Sequence, residues 1–284
     1  MPAHGQTGQS EFIRRFGQDP RGHILNSRIP GQIGDGHVGD VGHTLVVGPT
    51  GAGKSVLLAL MALQFRRYRN SRVFAFDFGG SIRAASLAMG GDWHDLGGGL
   101  TEGDDQSVSL QPLSRLEETA ERAWAADWVV AILMREGVEI TPEVKEHLWT
   151  ALTSLASAPV GERTITGLAV LLQSNDLKQA LRPYCVGGAY GRLLDSESEH
   201  LGEATVQAFE TEGLIGTGAA PAVLAYLFHR IEDRLDGSPT LIIIDEGWLA
   251  LDDEVALGEL AARAELTLDH QTVTVEGHDV PRAL

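Results

Sequence analysis

The chain has 284 residues, of which 43% are hydrophobic, and a formal net charge of -17. That apolar content supplies a packed core and excludes disorder as the default state, and so strong a negative charge argues against a nucleic-acid backbone as a general partner. The lone cysteine, Cys185, excludes an intrachain disulfide and fits a reducing cytoplasm.

Residues 1–36 are rich in Gly, Gln, Arg and His without a sustained period, and read as a poorly ordered leader with no apolar core of signal-peptide type. Ordered structure is expected from Val41, beginning with a short apolar strand at residues 43–47. A turn over Gly48–Gly53 follows, then a helix from Lys54 to about Tyr68 with Leu57, Leu58, Met61, Leu63 and Phe65 on a broad buried face. Arg72–Asp77 reads as a second strand, so strand, helix and strand form a βαβ unit with a right-handed crossover. The cluster Arg66, Arg67, Arg69 and Arg72 sits at the helix end, where cations complement the helix dipole; a binding patch is the other reading.

A glycine-rich loop follows Ser81. From about residue 114 to 235 the pattern is mostly helical, which predicts a helical lobe. Ser114–Glu117 has the spacing of a capping box, Thr141-Pro142-Glu143 that of a helix start with Pro at the first position, and further starts are expected at Thr166 and at Asn175-Asp176. The longest apolar stretch, Ala219–Phe228, is about half of the ~20 residues that span a bilayer. Thr240–Asp245 then carries a continuous aliphatic run, as in parallel strands covered on both faces. The expected class is α/β: a parallel sheet interrupted by an all-helical insertion.

Gly48-Pro49-Thr50-Gly51-Ala52-Gly53-Lys54-Ser55 fits the P-loop pattern G-x-x-x-x-G-K-[ST], lying after an apolar strand and before an apolar helix. Its glycines let successive amides curl around phosphate oxygens, and the following helix aims its N-terminal dipole at the same charge. Lys54 is assigned to the β- and γ-phosphates and Ser55 to Mg²⁺, which makes ATP with Mg²⁺ the expected ligand. Asp245 ends a strand, where it can hold the Mg²⁺, and Glu246 can orient and deprotonate an attacking water. Asp77 lies at the strand end where α/β sheets place ligands, and is either an acid near that water or a turn former. Trp248 packs on the sheet or meets a neighbouring subunit. The histidines show no HExxH or other metal-binding spacing.

From Val38 to about Asp253 the chain resembles the ATPase domain of TrbE-type energisers of conjugative type IV secretion. The stretches that carry the resemblance are GDVGHTLVVGPTGAGKSVLLALMALQFRRY, VFAFDFGGS, YGRLLDSESEHLGEATVQAFETEGLIG and PAVLAYLFHRIEDRLDGSPTLIIIDEGWLALDD. The resemblance implies a P-loop NTPase of RecA-like fold over residues 37–253, acting in the cytoplasm at the inner membrane through other type IV secretion components, as a homo-oligomer. Lys54, Ser55, Asp245 and Glu246 take the family's phosphate, magnesium and water-activating roles. It also implies a large domain before the P-loop and, after the Asp-Glu strand, a further core strand ending in a glutamine, then arginines that act across subunits. Residues 254–284 do not look like that continuation, so the sheet is expected to be incomplete at its C-terminal side, with Thr272–Val275 as a weak substitute. Burying four or five side chains of such a strand is worth about 10 kcal/mol, comparable to the roughly 5–15 kcal/mol net stability of a domain. Two alternatives stay open: a catalytically weak nucleotide-binding module that docks to full-length relatives, and a DNA translocase of the HerA–FtsK kind.

Overall fold

The computed structural model describes residues 46, 51–98 and 108–245. The chain divides into two compact units, residues 1–54 and 55–284. The predicted leader, residues 43–45 and 47 of the expected first strand, Gly48–Thr50, Glu246, Trp248 and the tail lie outside the described residues, and Val46 carries no regular secondary structure.

Helix α1 spans Lys54–Phe65 and strand β1 Arg72–Asp77. A short helix α2, Arg83–Ala88, leads to β2, Asp92–Asp95. The lobe follows as α3 (Thr119–Arg135), α4 (Pro142–Leu155), α5 (Ile165–Leu171), α6 (Asn175–Leu181) and the single turn α7 (Gly191–Leu194). The chain then returns to the sheet as β3 (Val206–Glu210), crosses through α8 (Ala220–Glu232) and ends the described region in β4 (Thr240–Ile244). Among the described residues the sheet is four-stranded in the order β2-β3-β1-β4, and every pair is parallel.

Alternation along β1 assigns the two faces. Val73 and Ala75 join Val206, Ala208 and Ile243 under Ala62, with Leu58 and Ala59 of α1 beside them. Phe74 and Phe76 point the other way, into a larger core with Phe209, the lobe and α8. There Phe76 stacks between Phe209 and Phe228, with ring centroids 5.2 and 4.7 Å away. The indole of Trp128 donates to the Ala222 carbonyl at 2.9 Å, joining α3 to α8. The sheet thus has helices on both faces, the arrangement that parallel strands need.

Several expectations change. Helix α3 starts at Thr119, not at the Ser114–Glu117 box. Arg163 explains the difference: its guanidinium donates to the Ser114 carbonyl at 2.8 Å and pairs with Glu117, so that carboxylate is drawn away from the box. Thr141 does cap α4, accepting from Val144 N at 3.3 Å with Pro142 in the first turn. The third start falls on Thr164, whose hydroxyl accepts from Gly167 N at 3.0 Å, two residues before the expected Thr166. Residues 114–235 are not wholly helical, since β3 lies within them and occupies the sheet's interior.

The aliphatic run of β4 is covered on one face only. Ile243 is 5% exposed in the cluster under α1, whereas Ile242 and Ile244, which alternation turns to the other face, are each 40% exposed. Leu63, expected in the buried face of α1, is exposed with Val56 and Leu60 at helical spacing. Helix α1 stops at Phe65, so Arg66 lies just beyond it and bonds Ser71, while Arg72 pairs with Asp236 at 2.7 Å. These two arginines therefore hold local structure.

Candidate functional site

Parallel strands deliver their C-terminal ends to one edge, and among the described residues four acids stand along it: Asp95 ends β2, Glu210 ends β3, Asp77 ends β1 and Asp245 follows β4. Asp77 and Glu210 are register partners. Asp245 extends the adjoining ladder by donating its N–H to the Phe76 carbonyl at 2.8 Å. Ser55, in the first turn of α1, donates from Oγ to Asp245 Oδ2 at 3.2 Å.

That contact brings together two residues 190 positions apart in sequence. It also fits Mg²⁺. Neighbouring ligands of an octahedral Mg²⁺ with bonds of about 2.0–2.1 Å sit about 3 Å apart, and a serine hydroxyl and a carboxylate are the hard oxygen donors the ion prefers. Just before α1, Gly51 and Gly53 hold φ of +80° and +83°, the left-handed backbone that lets a loop turn its amides inward. Lys54 opens the helix.

Asp77 is buried, and both its oxygens are engaged. Ser81 Oγ donates to one at 2.5 Å and Ile82 N to the other at 2.9 Å, which fixes the turn into α2. Its carbonyl accepts from Thr211 N at 2.9 Å and Thr211 Oγ1 at 2.8 Å. Of its two readings, the turn-forming one is what these bonds describe.

Sequence reasoning missed Glu210. The only signal was its place in the FETEGL stretch, which gave no hint that the carboxylate faces the Gly79-Gly80 turn. It also missed Glu121, His229 and Asp233, whose ligating atoms lie within 4.8 Å of one another. Arg115 supplies their counter-charge, 2.5 Å from Asp233 and 3.7 Å from Glu121, while His229 meets Glu121 at 3.1 Å. This is an ion-pair network joining α3 to α8. Burial pushes the Glu199 carboxyl up even though Tyr226 donates to it, and burial lowers His94 in β2.

A parallel sheet with helices on both faces, a glycine turn opening a helix, and a serine of that helix on an acid at a strand end define a P-loop NTPase fold. The VirB4 structure of Thermoanaerobacter pseudethanolicus shares the fold, with a TM-score of 0.55 at 17% identity over 76% of this chain and 64% of that one. No family model matches the chain. Sequence relatives are nearer. The second portion of a probable conjugal transfer protein TrbE of Sinorhizobium fredii is 46% identical over 217 residues, 76% of this chain and 32% of that protein. The "Conjugal transfer protein TrbE" of Rhizobium radiobacter is 44% identical over 76% of this chain and 26% of its own length. The "Type IV secretion system protein virB4" of Bartonella henselae is 27% identical over 77% of this chain. Over the matched span, the chain belongs to the TrbE/VirB4 family, and it covers about a third or less of these relatives' length. Among the described residues, no helix is long and apolar enough to cross a membrane.

Proposed function

We propose that the chain binds and hydrolyses ATP with Mg²⁺ as part of a conjugative DNA-transfer, type IV secretion system. The observation that carries this reading is the Ser55–Asp245 contact at 3.2 Å, which joins the end of the P-loop to the acid of the distant strand. Lys54 is the charge clamp on the β- and γ-phosphates, with the Gly48–Ser55 amides around them, and Ser55 and Asp245 hold the metal. When bound, Mg²⁺ neutralises the charge that develops on the phosphate oxygens. Glu246, next in sequence after Asp245, takes a proton from the attacking water; the water oxygen bonds to the γ-phosphorus as the bond to the β-phosphate oxygen breaks, leaving ADP and phosphate. The chain is placed in the cytoplasm, reaching the inner membrane through other secretion components, and works in a homo-oligomer.

A steady-state phosphate-release assay on wild type and Glu246→Gln tests this reading. Loss of turnover with nucleotide binding retained is expected, and equal rates would refute the role of Glu246. One observation favours a second reading, a catalytically weak module that docks to full-length relatives. The outer side of β4, with Ile242 and Ile244 exposed, and the Val56, Leu60 and Leu63 stripe of α1 offer apolar surface for another chain. Co-purification with a full-length relative, set against the turnover of the isolated chain, separates the two.

A further inference from the structure

Strand β3 ends in a carboxylate that is turned inward. Glu210 is buried; its Oε1 accepts from Gly79 N at 3.0 Å and from Glu212 N at 2.9 Å, and its Oε2 accepts from Gly80 N. Gly79 and Gly80 hold φ of +86° and +68°. A Cβ on Gly80 would stand 3.6 Å from Glu210 Oε2. Two successive amides converging in this way make a cradle for an anion, and here the anion belongs to the protein itself.

The turn held by this carboxylate carries two side chains of the sheet edge. Asp77 precedes the glycines and Ser81 follows them, joined to each other at 2.5 Å. On its other side the turn's parent strand accepts the Asp245 amide, so the turn borders the Ser55–Asp245 pair. The sequence distance from Glu210 to Gly80 is 130 residues, so the lobe's whole excursion ends by returning this carboxylate to the turn.

We infer that Glu210 is a positioning residue for the nucleotide reaction: by filling the Gly79-Gly80 amide cradle it fixes the Asp77–Ser81 turn beside the Ser55–Asp245 pair. The inference rests on the ATP-hydrolysis reading above. Glu210→Gln keeps the side chain's size but brings an NH₂ group against a backbone N–H, so the turn must reorient. The phosphate and metal grip assigned to Lys54, Ser55 and Asp245 is untouched, which separates binding from turnover.

The experiment uses the full chain as wild type, Glu210→Gln and Ser86→Ala. Ser86 Oγ donates to the Asp92 carbonyl at 3.0 Å, at the opposite end of the sheet, and serves as a destabilised control. ATP turnover, affinity for a fluorescent ATP analogue with Mg²⁺, and melting temperature are measured for each. Glu210→Gln is expected to lower kcat at least about tenfold with affinity within about twofold, as a small misplacement near reacting groups does. Ser86→Ala should lower the melting temperature while holding kcat within about twofold of wild type. Wild-type turnover that survives undiminished in Glu210→Gln, or that falls equally in Ser86→Ala, overturns the positioning role alone. A wild-type chain whose nucleotide turnover is absent, or is unaffected by Lys54→Ala, overturns the function reading and this inference with it.

Discussion

Replacing Asp195 by alanine should loosen the helical lobe by a large share of the chain's stability. Asp195 is 5% exposed, and its carboxylate accepts from Thr166 N at 3.0 Å, from Val186 N at 2.7 Å and from the Thr166 hydroxyl. Thr166 lies in the first turn of α5, where amides have no partner within the helix. In Asp195→Ala the Val186 amide keeps the Thr166 hydroxyl at 3.0 Å, but the Thr166 amide loses its acceptor. Losing bonds to a charged group and orphaning one donor comes to about 3–4 kcal/mol, against a net domain stability of about 5–15 kcal/mol. Asp195→Asn keeps one acceptor oxygen and should cost about half as much. Urea unfolding followed by tryptophan fluorescence reads this well, since Trp124, Trp128 and Trp149 lie on α3 and α4. The midpoint should fall with the slope unchanged. A loss below about 1 kcal/mol in Asp195→Ala would refute the claim that this carboxylate ties α5 to the loop at 186.

Three further outcomes are expected. Tyr184 is buried and its hydroxyl donates to Glu136 at 3.0 Å or to the Gly218 carbonyl at 3.2 Å, so Tyr184→Phe should cost about 1–2 kcal/mol in the same unfolding assay. Burial raises the Glu199 carboxyl, so the folded state holds its proton more tightly than the unfolded chain does. The stability from this group is complete below the ordinary glutamate value and is lost as pH rises through the folded one. Glu199→Gln should therefore flatten the fall in unfolding midpoint over that window, measured from about pH 4 to 8. Ser55→Ala removes one oxygen assigned to the metal and should weaken ATP binding with Mg²⁺ present by about tenfold while changing binding in EDTA little, as read by calorimetry.

The motifs were the most legible part of the sequence. The P-loop pattern and the aliphatic strand ending in Asp245 announced a serine and an acid that must meet, and Ser55 and Asp245 do so. Strands β1 and β4 were readable because their apolar residues are dense, and α4 because Thr141 and Pro142 mark its start locally. Strand β3 was hidden because two of its five residues are polar and buried, satisfied in large part by groups far along the chain. Gln207 donates to the Leu201 carbonyl at 2.5 Å and accepts from Arg234 at 2.7 Å, while Glu210 sits on the glycine amides. Strand β2, reading DWHD, has no apolar alternation to reveal it and is recruited by pairing with β3. The false helix start at Ser114 has a similar cause, since Arg163, far along the chain, takes both ends of the box.

The pairing of Ser55 with Asp245 as a magnesium site for a bound triphosphate is what ATP hydrolysis by this chain requires first. Calorimetric titration of ATP into the full chain, with Mg²⁺ and with EDTA, for wild type and Asp245→Asn tests it directly. The wild type should bind at least about tenfold more tightly with Mg²⁺, and Asp245→Asn should lose that dependence. Identical affinities in both buffers for the wild type, or an unchanged Mg²⁺ dependence in Asp245→Asn, would contradict it.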